Sequence, residues 1–159
     1  MEVKIIEKKS FTVIGKLGQG LAKEGPKWIP QLWQEANSNF NEINNLAKLD
    51  STGSIVGIWG IMSDVEENFE GWKEEGKYLA GCEVKDFAEA PNNWRKWVIP
   101  SYKYVVAKCT QDTYQDIFKY MMNEYLPQHE FNIVGAVHEF YNPNDTNGEL
   151  SLYFPIQKI

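Results

Sequence analysis

The groups best placed to do chemistry sit near the carboxy terminus. In the run Phe131 to Tyr141, Glu139 falls at period two with Ile133, Gly135 and Val137, and Tyr141 continues that face. A carboxylate on an apolar strand face is costly unless it is paired, because desolvation penalises the ionised form. Such a group serves as a proton donor or acceptor, or as the counter-charge of a bound cation. The alternative is an edge position where the strand emerges into water. Tyr141 adds a hydroxyl beside the same carboxylate, a reasonable pair for general acid–base work. Aromatics are the other conspicuous resource, with 6 Trp, 8 Tyr and 8 Phe in 159 residues.

Other reactive constellations are missing. The sequence has no GxSxG, GxxxxGK[ST] or HExxH, and Gly18-Gln19-Gly20 fails at the next glycine of a dinucleotide loop. Cys82 and Cys109 lie in strand-like runs without CxxC spacing, and they read as reduced core thiols. His129 and His138 are nine residues apart with no cysteine nearby, so neither a metal site nor a cofactor is expected. The acidic run Asp64 to Glu70 lacks calcium-loop spacing and reads as a solvated loop, or as one overhanging a cleft mouth and attracting cations.

The elements that must position these groups follow from periodicity. Residues 2–17 read as one long strand bent near Lys8-Lys9. From Trp28, the positions Ile29, Leu32, Trp33, Ala36, Phe40, Ile43 and Ala47 form one helical face over about five turns. Two strands follow, Ile55 to Ile61 and Tyr78 to Val84; glycines at 57, 60 and 81 mark bulges or close approach to the backbone. The second half repeats the order: strand Tyr102 to Cys109, a helical face Tyr114, Ile117, Phe118, Met121 and Tyr125, then strands Phe131 to Tyr141 and Glu149 to Ile156. Asn142 to Gly148 is a turn by composition. The last strand sends Leu150, Leu152, Phe154 and Ile156 to one face, under the helices, and Glu149, Ser151 and Tyr153 to the other. Phe87 to Pro100 reads as a linker carrying Trp94 and Trp97.

The expected architecture is therefore α+β: one domain, residues 1–159, made of two strand–helix–strand–strand units at about 1–88 and 100–159. Both helices lie on one face of an antiparallel sheet, and a ligand cleft opens at the pseudo-two-fold. A net charge of −6, from 16 basic and 22 acidic residues, lacks the footprint of a nucleic-acid binder. No apolar run reaches membrane-spanning length, and the start alternates Met1-Glu2-Val3-Lys4-Ile5 instead of forming a leader, so a cytoplasmic location with no membrane partner is expected.

The segment Gly135 to Asp145, followed by Glu149 to Ile156, resembles the terminal hairpin of the GyrI-like small-molecule-binding domain, the effector-binding domain of AraC- and MerR-type bacterial regulators. In that hairpin a Glu two residues before a Tyr precedes a loop and a strand ending in Pro-Ile. The resemblance implies an aromatic cleft with a buried Glu on the second half's middle strand, binding bulky, often cationic aromatic compounds. Glu139 and Tyr141 match the motif. Patterning adds Trp59, Trp94, Trp97, Tyr104 and Tyr153 as candidate pocket residues, and assigns Trp33, Phe40 and Phe118 to core packing. No helix-turn-helix precedes the domain, so a stand-alone binding or sequestering role is expected. The resemblance leaves two alternatives open. One is a hydrolase of cyclopropane-bearing genotoxins, with Glu139 and Tyr141 as its catalytic pair. The other is a modulator of a partner protein that handles DNA.

Overall fold

A computed structural model describes residues 1–145 and 147–159; of the turn expected at 142–148, Thr146 lies outside the described residues. Eight strands build one antiparallel sheet: β1 (Val3–Lys8), β2 (Phe11–Leu21), β3 (Ile58–Ser63), β4 (Glu75–Val84), β5 (Arg95–Ile99), β6 (Tyr102–Thr110), β7 (His138–Tyr141) and β8 (Glu149–Lys158). Their order is β1-β6-β8-β7-β3-β4-β2-β5. The inner six read β6-β8-β7 against β2-β4-β3, the same path from either side of the β7–β3 seam. Helix α1 (Gly25–Ser38) follows β2, and α2 (Tyr114–Tyr120) follows β6. The α+β fold, with two helices on an antiparallel sheet, is the one expected.

The outer strands explain how the sheet bends. Lys8 pairs with Tyr102 and Phe11 with Ile99, so 3–15 and 95–107 form one antiparallel ribbon in unbroken register. Its two arms lie at opposite ends of the strand order, joined only by Lys9-Ser10 and Pro100-Ser101. Connections that short force the sheet to curl. The bent strand expected for residues 2–17 is thus two strands serving different halves. The segment 87–100, expected to be a linker, contains β5, which pairs with β2 and buries Trp97 and Ile99.

Curling divides the interior into three cores. Beneath α1, Ile14, Ala36, Ile43, Tyr78 and Ala80 pack together; beneath α2, Val105, Met121, Leu126, Leu152 and Phe154 do so. The third core fills the opposite face and draws on both halves: Phe11, Trp59, Leu79, Trp97, Tyr104 and Tyr153. Leu150, Leu152, Phe154 and Ile156 lie under α2 while Tyr153 faces the third core, as the alternation of β8 requires. The sheet face opposite the helices is closed upon itself.

Three local departures from the sequence pattern have physical causes. The apolar stripe from Trp28 to Ala47 is not one helix. Helix α1 stops at Ser38, where the Asn39 side chain donates to the Glu35 carbonyl (2.9 Å), and the stripe continues through 3-10 turns at Phe40–Glu42 and Asn44–Leu46. Asparagine side chains compete with helical backbone bonds, and the stripe contains five, at 37, 39, 41, 44 and 45. Strand β7 begins only at His138; two residues earlier the register would place Ala136 opposite Pro155, which has no N–H to donate, and the Ala136 N–H bonds the Phe69 carbonyl instead (2.8 Å). Past α2, the helix widens into a π turn, Met121–Tyr125, before a last turn α3 (Leu126–Gln128). Pro127 removes one backbone donor there and crowds the carbonyl four residues earlier.

Trp59 tests the third core. Its ring lies 4.9 Å, centroid to centroid, from those of Phe11, Phe140 and Tyr153, and its Nε1 donates to Glu83 Oε1 at 3.1 Å. Trp59→Ala is expected to lower the unfolding free energy by about 3–5 kcal/mol, the range for a buried Trp, as read by urea titration. A variant of near-normal stability would refute the core assignment.

Candidate functional site

The sequence places Glu139 and Tyr141 on one face of β7, and the tertiary fold turns that face toward the helices. A cleft of about 560 Å³ opens there, over the β7–β3 seam. Helix α1 supplies one wall with Ile29, Pro30 and Trp33. The opposite wall is Gln111 and Tyr114, at the entry to α2. Met62 of β3, Tyr78 of β4 and Trp72 of the 64–74 loop complete it around Glu139 and Tyr141. A shallower annex of about 330 Å³ adjoins it between Trp33, Asn37, Ile58, Gln111 and Tyr141.

Glu139 is only 7% exposed. Three phenols donate to it: Tyr78 to Oε1 at 2.5 Å, Tyr114 to Oε2 at 2.5 Å and Tyr141 to Oε1 at 3.1 Å. Trp33 Nε1 in turn donates to the Tyr78 hydroxyl at 2.9 Å, tying α1 to the network. Among the described residues no Lys, Arg or His side chain forms an ion pair with Glu139. Burial pushes its carboxyl above the ordinary glutamate value, and the three hydroxyl bonds partly offset that rise. Burial likewise raises the phenols of Tyr78, Tyr114 and Tyr141, with the adjacent Glu139 charge adding to the effect, so they stay protonated as donors. The result is a desolvated carboxyl, hydrogen-bonded only by neutral phenols, at the floor of an aromatic cleft.

Gly60 makes this arrangement fit. It pairs with Glu139 across the seam, and a Cβ there would overlap the Tyr78 hydroxyl and lie 2.8 Å from Glu139 Oε1. The close approach expected at this glycine is that of the carboxylate network itself.

The other pocket candidates lie elsewhere. Trp59, Trp97, Tyr104 and Tyr153 pack in the third core, on the face opposite the Glu139 carboxylate. Trp94 is buried under α1, its Nε1 donating to Glu42 (2.8 Å) and its ring beneath the Lys16 ammonium, 4.1 Å from the centroid. These five correct the expected pocket, since none lines the cleft. Trp33, assigned to core packing, packs against the core beneath α1 and is also a cleft wall, and the sequence pattern did not single out Tyr78, Tyr114 or Trp72 as pocket residues. The i, i+4 spacing of Tyr114 and Phe118 was the available signal, since it fixes which way the Tyr114 ring points. Within the acidic run, Glu67 already has its partners. Glu67 is held by Lys77 (2.7 Å), Arg95 (3.3 Å) and Trp97 Nε1 (2.5 Å), which keep its carboxyl below the ordinary value although burial opposes them.

His138 shares β7 but faces the third core, where burial lowers it to about 3 and keeps it neutral. Among the described residues no cluster of three or more His, Cys, Asp or Glu could hold a metal ion, and no helix is long and apolar enough to cross a membrane. What the cleft can do is accept a flat or bulky apolar body and set a negative charge against it.

Comparison with known proteins agrees with this architecture. Solved structures share the fold, three among them as follows. SAV2435, solved bound to tetraphenylphosphonium, aligns with a TM-score of 0.72 at 16% identity over 99% of this chain and 94% of that one. The C-terminal domain of EcmrR aligns at 0.65 and 17% identity, over 99% and 98%. An integron cassette protein from the mobile metagenome of Vibrio cholerae aligns at 0.63 and 15%, over 98% and 95%. No curated protein matches the sequence. The model of one family, described as integron-associated effector binding protein, covers residues 4–156, and the chain accordingly belongs to that family of GyrI-like effector-binding domains.

Proposed function

We propose that the protein binds bulky lipophilic cations, holding the aromatic body between Trp33, Trp72 and Tyr114 and setting the positive charge against Glu139. The observation that carries this reading is the buried carboxylate facing the cleft with three phenol donors and no cationic side chain. A charge left in that state is costly, and a ligand cation relieves the cost by supplying the missing partner. Aromatic rings add stacking and cation–π attraction. Tetraphenylphosphonium, found on the structural relative SAV2435, is a cation of this class. Binding, as sequestration or sensing, is favoured over hydrolysis because phenol hydroxyls already engage both carboxyl oxygens of Glu139, leaving neither free to pass a proton to a substrate.

The test is quenching of tryptophan fluorescence by tetraphenylphosphonium, compared with tetraphenylborate, an anion of nearly the same shape. The cation is expected to saturate the cleft and the anion to bind far more weakly. Equal affinities would refute the role given to Glu139.

Binding should also depend on pH with a definite sign. The free carboxyl titrates above the ordinary glutamate value because burial disfavours its charge, and a bound cation favours the charged form. Binding therefore expels a proton. Affinity is expected to rise with pH up to the raised carboxyl value and to level off above it, with proton release measurable by calorimetry in two buffers of different ionisation enthalpy. An affinity independent of pH between 4 and 8 would contradict this, a span of roughly the usual carboxylate-to-histidine range.

A further inference from the structure

A second cavity, of about 250 Å³, lies beyond the cleft. The two spaces share two walls, Met62 and Trp72, which line both. The far space is closed by Phe118 and Met122 of the second helix and by Ile133 and Val137 of the segment leading into β7. It contains no ionisable side chain among its lining residues. Helix α2 runs past both spaces. Tyr114, which donates to Glu139, and Phe118, one turn later, have nearly parallel rings with centroids 6.4 Å apart. The charged and uncharged spaces are thus neighbours at about one helical turn, roughly 5.4 Å.

The partition has one fixed and one adaptable member. Trp72 is held by its Nε1 bond to the Lys77 carbonyl (3.0 Å), by stacking on Trp28 at 5.6 Å, and by close contact with Gly76, where any Cβ would overlap the indole. Met62 is unbranched, and a thioether side chain repacks at little cost.

We propose that this second cavity is a tail subsite: it takes an apolar arm of the ligand whose cationic head sits at Glu139, with Met62 swinging aside to admit it. The proposal rests on the cation-binding reading above and narrows it. The preferred ligands are amphiphilic cations, a charged aromatic head carrying an alkyl or aryl tail, rather than compact cations. An ionic tail would lose its hydration in this apolar space, whereas each methylene buried there adds affinity.

The experiment measures the affinity of alkyltriphenylphosphonium ions with tails from methyl to decyl, by tryptophan quenching on the full chain. Wild-type affinity is expected to climb with tail length, reaching about 100-fold over the methyl compound for some four buried methylenes, then to level off when the cavity is full. Met122 is 36% exposed and lines only the second cavity, so a larger side chain there fills that space without displacing a buried core residue. In Met122→Trp the long-to-short affinity ratio is expected to fall below about 10, and in Met122→Ala the plateau should move to longer tails. If the methyl compound binds and the ratio is the same in all three proteins, the tail subsite is refuted while the Glu139 reading stands. If no phosphonium binds the wild-type protein, both fail together.

Discussion

Glu139→Gln is expected to weaken tetraphenylphosphonium binding by about 10- to 100-fold, the range of a charge-assisted contact, without lowering thermal stability. The substitution keeps the shape and two of the hydroxyl bonds, since Gln accepts from Tyr78 and Tyr141 through its remaining oxygen while the Tyr114 hydroxyl can turn to accept from the new amide. What it removes is the charge. The sign of the stability effect follows from the direction in which the carboxyl is moved. Burial, partly offset by the tyrosine bonds, raises Glu139 above its ordinary value in the folded chain. The folded state therefore holds this proton more tightly than the unfolded chain does, and the wild-type protein loses stability as pH rises through the raised value. Below the ordinary glutamate value both folded and unfolded chains are protonated, and the variant gains nothing from lacking the charge. Thermal unfolding of the two proteins is expected to coincide at about pH 4 and below and to diverge in favour of the variant toward about pH 7, a window that opens at the ordinary glutamate value. Normal cation affinity together with a lower melting temperature would make Glu139 a structural anchor instead.

Gly60→Ala should damage the site from the opposite strand. The added methyl would occupy the position of the Tyr78 hydroxyl and press on Glu139 Oε1 at 2.8 Å. Because Tyr78 is buried and fixed between Trp33 and Glu139, it cannot give way without breaking one of its two bonds. Overpacking of this kind costs about 1–3 kcal/mol, read by urea unfolding. Losing the Tyr78 donor also removes one of the bonds that hold the carboxyl down, so Glu139 should titrate still higher. Cation affinity at pH 7 is expected to fall with it. Carboxyl chemical shifts followed against pH would show the displaced titration, and a variant with unchanged stability, titration and affinity would mean that the network does not depend on the glycine.

The two substitutions probe different layers of information. That Glu139 sits on an apolar face is written in the spacing of Ile133, Val137 and Tyr141, because successive strand side chains alternate whatever the surrounding fold. The faces of β8 and the helical stripe Tyr114-Ile117-Phe118-Met121 were legible for the same reason: local periodicity is a property of the backbone. Strand boundaries were less so. β7 is cut short beside Pro155 of the adjacent β8, and β5 is a strand because β2, far earlier in the chain, pairs with it.

Which aromatic rings reach Glu139 was decided only by register. Across the seam Gly60 stands opposite Glu139, and Trp59 stands opposite Phe140. A one-residue offset sends a side chain to the other face of the sheet, so Trp59 shares a core with Phe140 and Tyr153 and never meets the carboxylate. Sequence periodicity groups residues within each strand, but it contains no term linking the phase of one strand to that of another. The ribbon formed by 3–15 and 95–107 supplies that link here. By curling the sheet it closes one aromatic-rich face into a core that holds Trp97 and Tyr104, and it leaves the other to be covered by two helices. Between those helices Trp33, Tyr78 and Tyr114, 81 positions apart at the extremes of the sequence, converge on one buried charge.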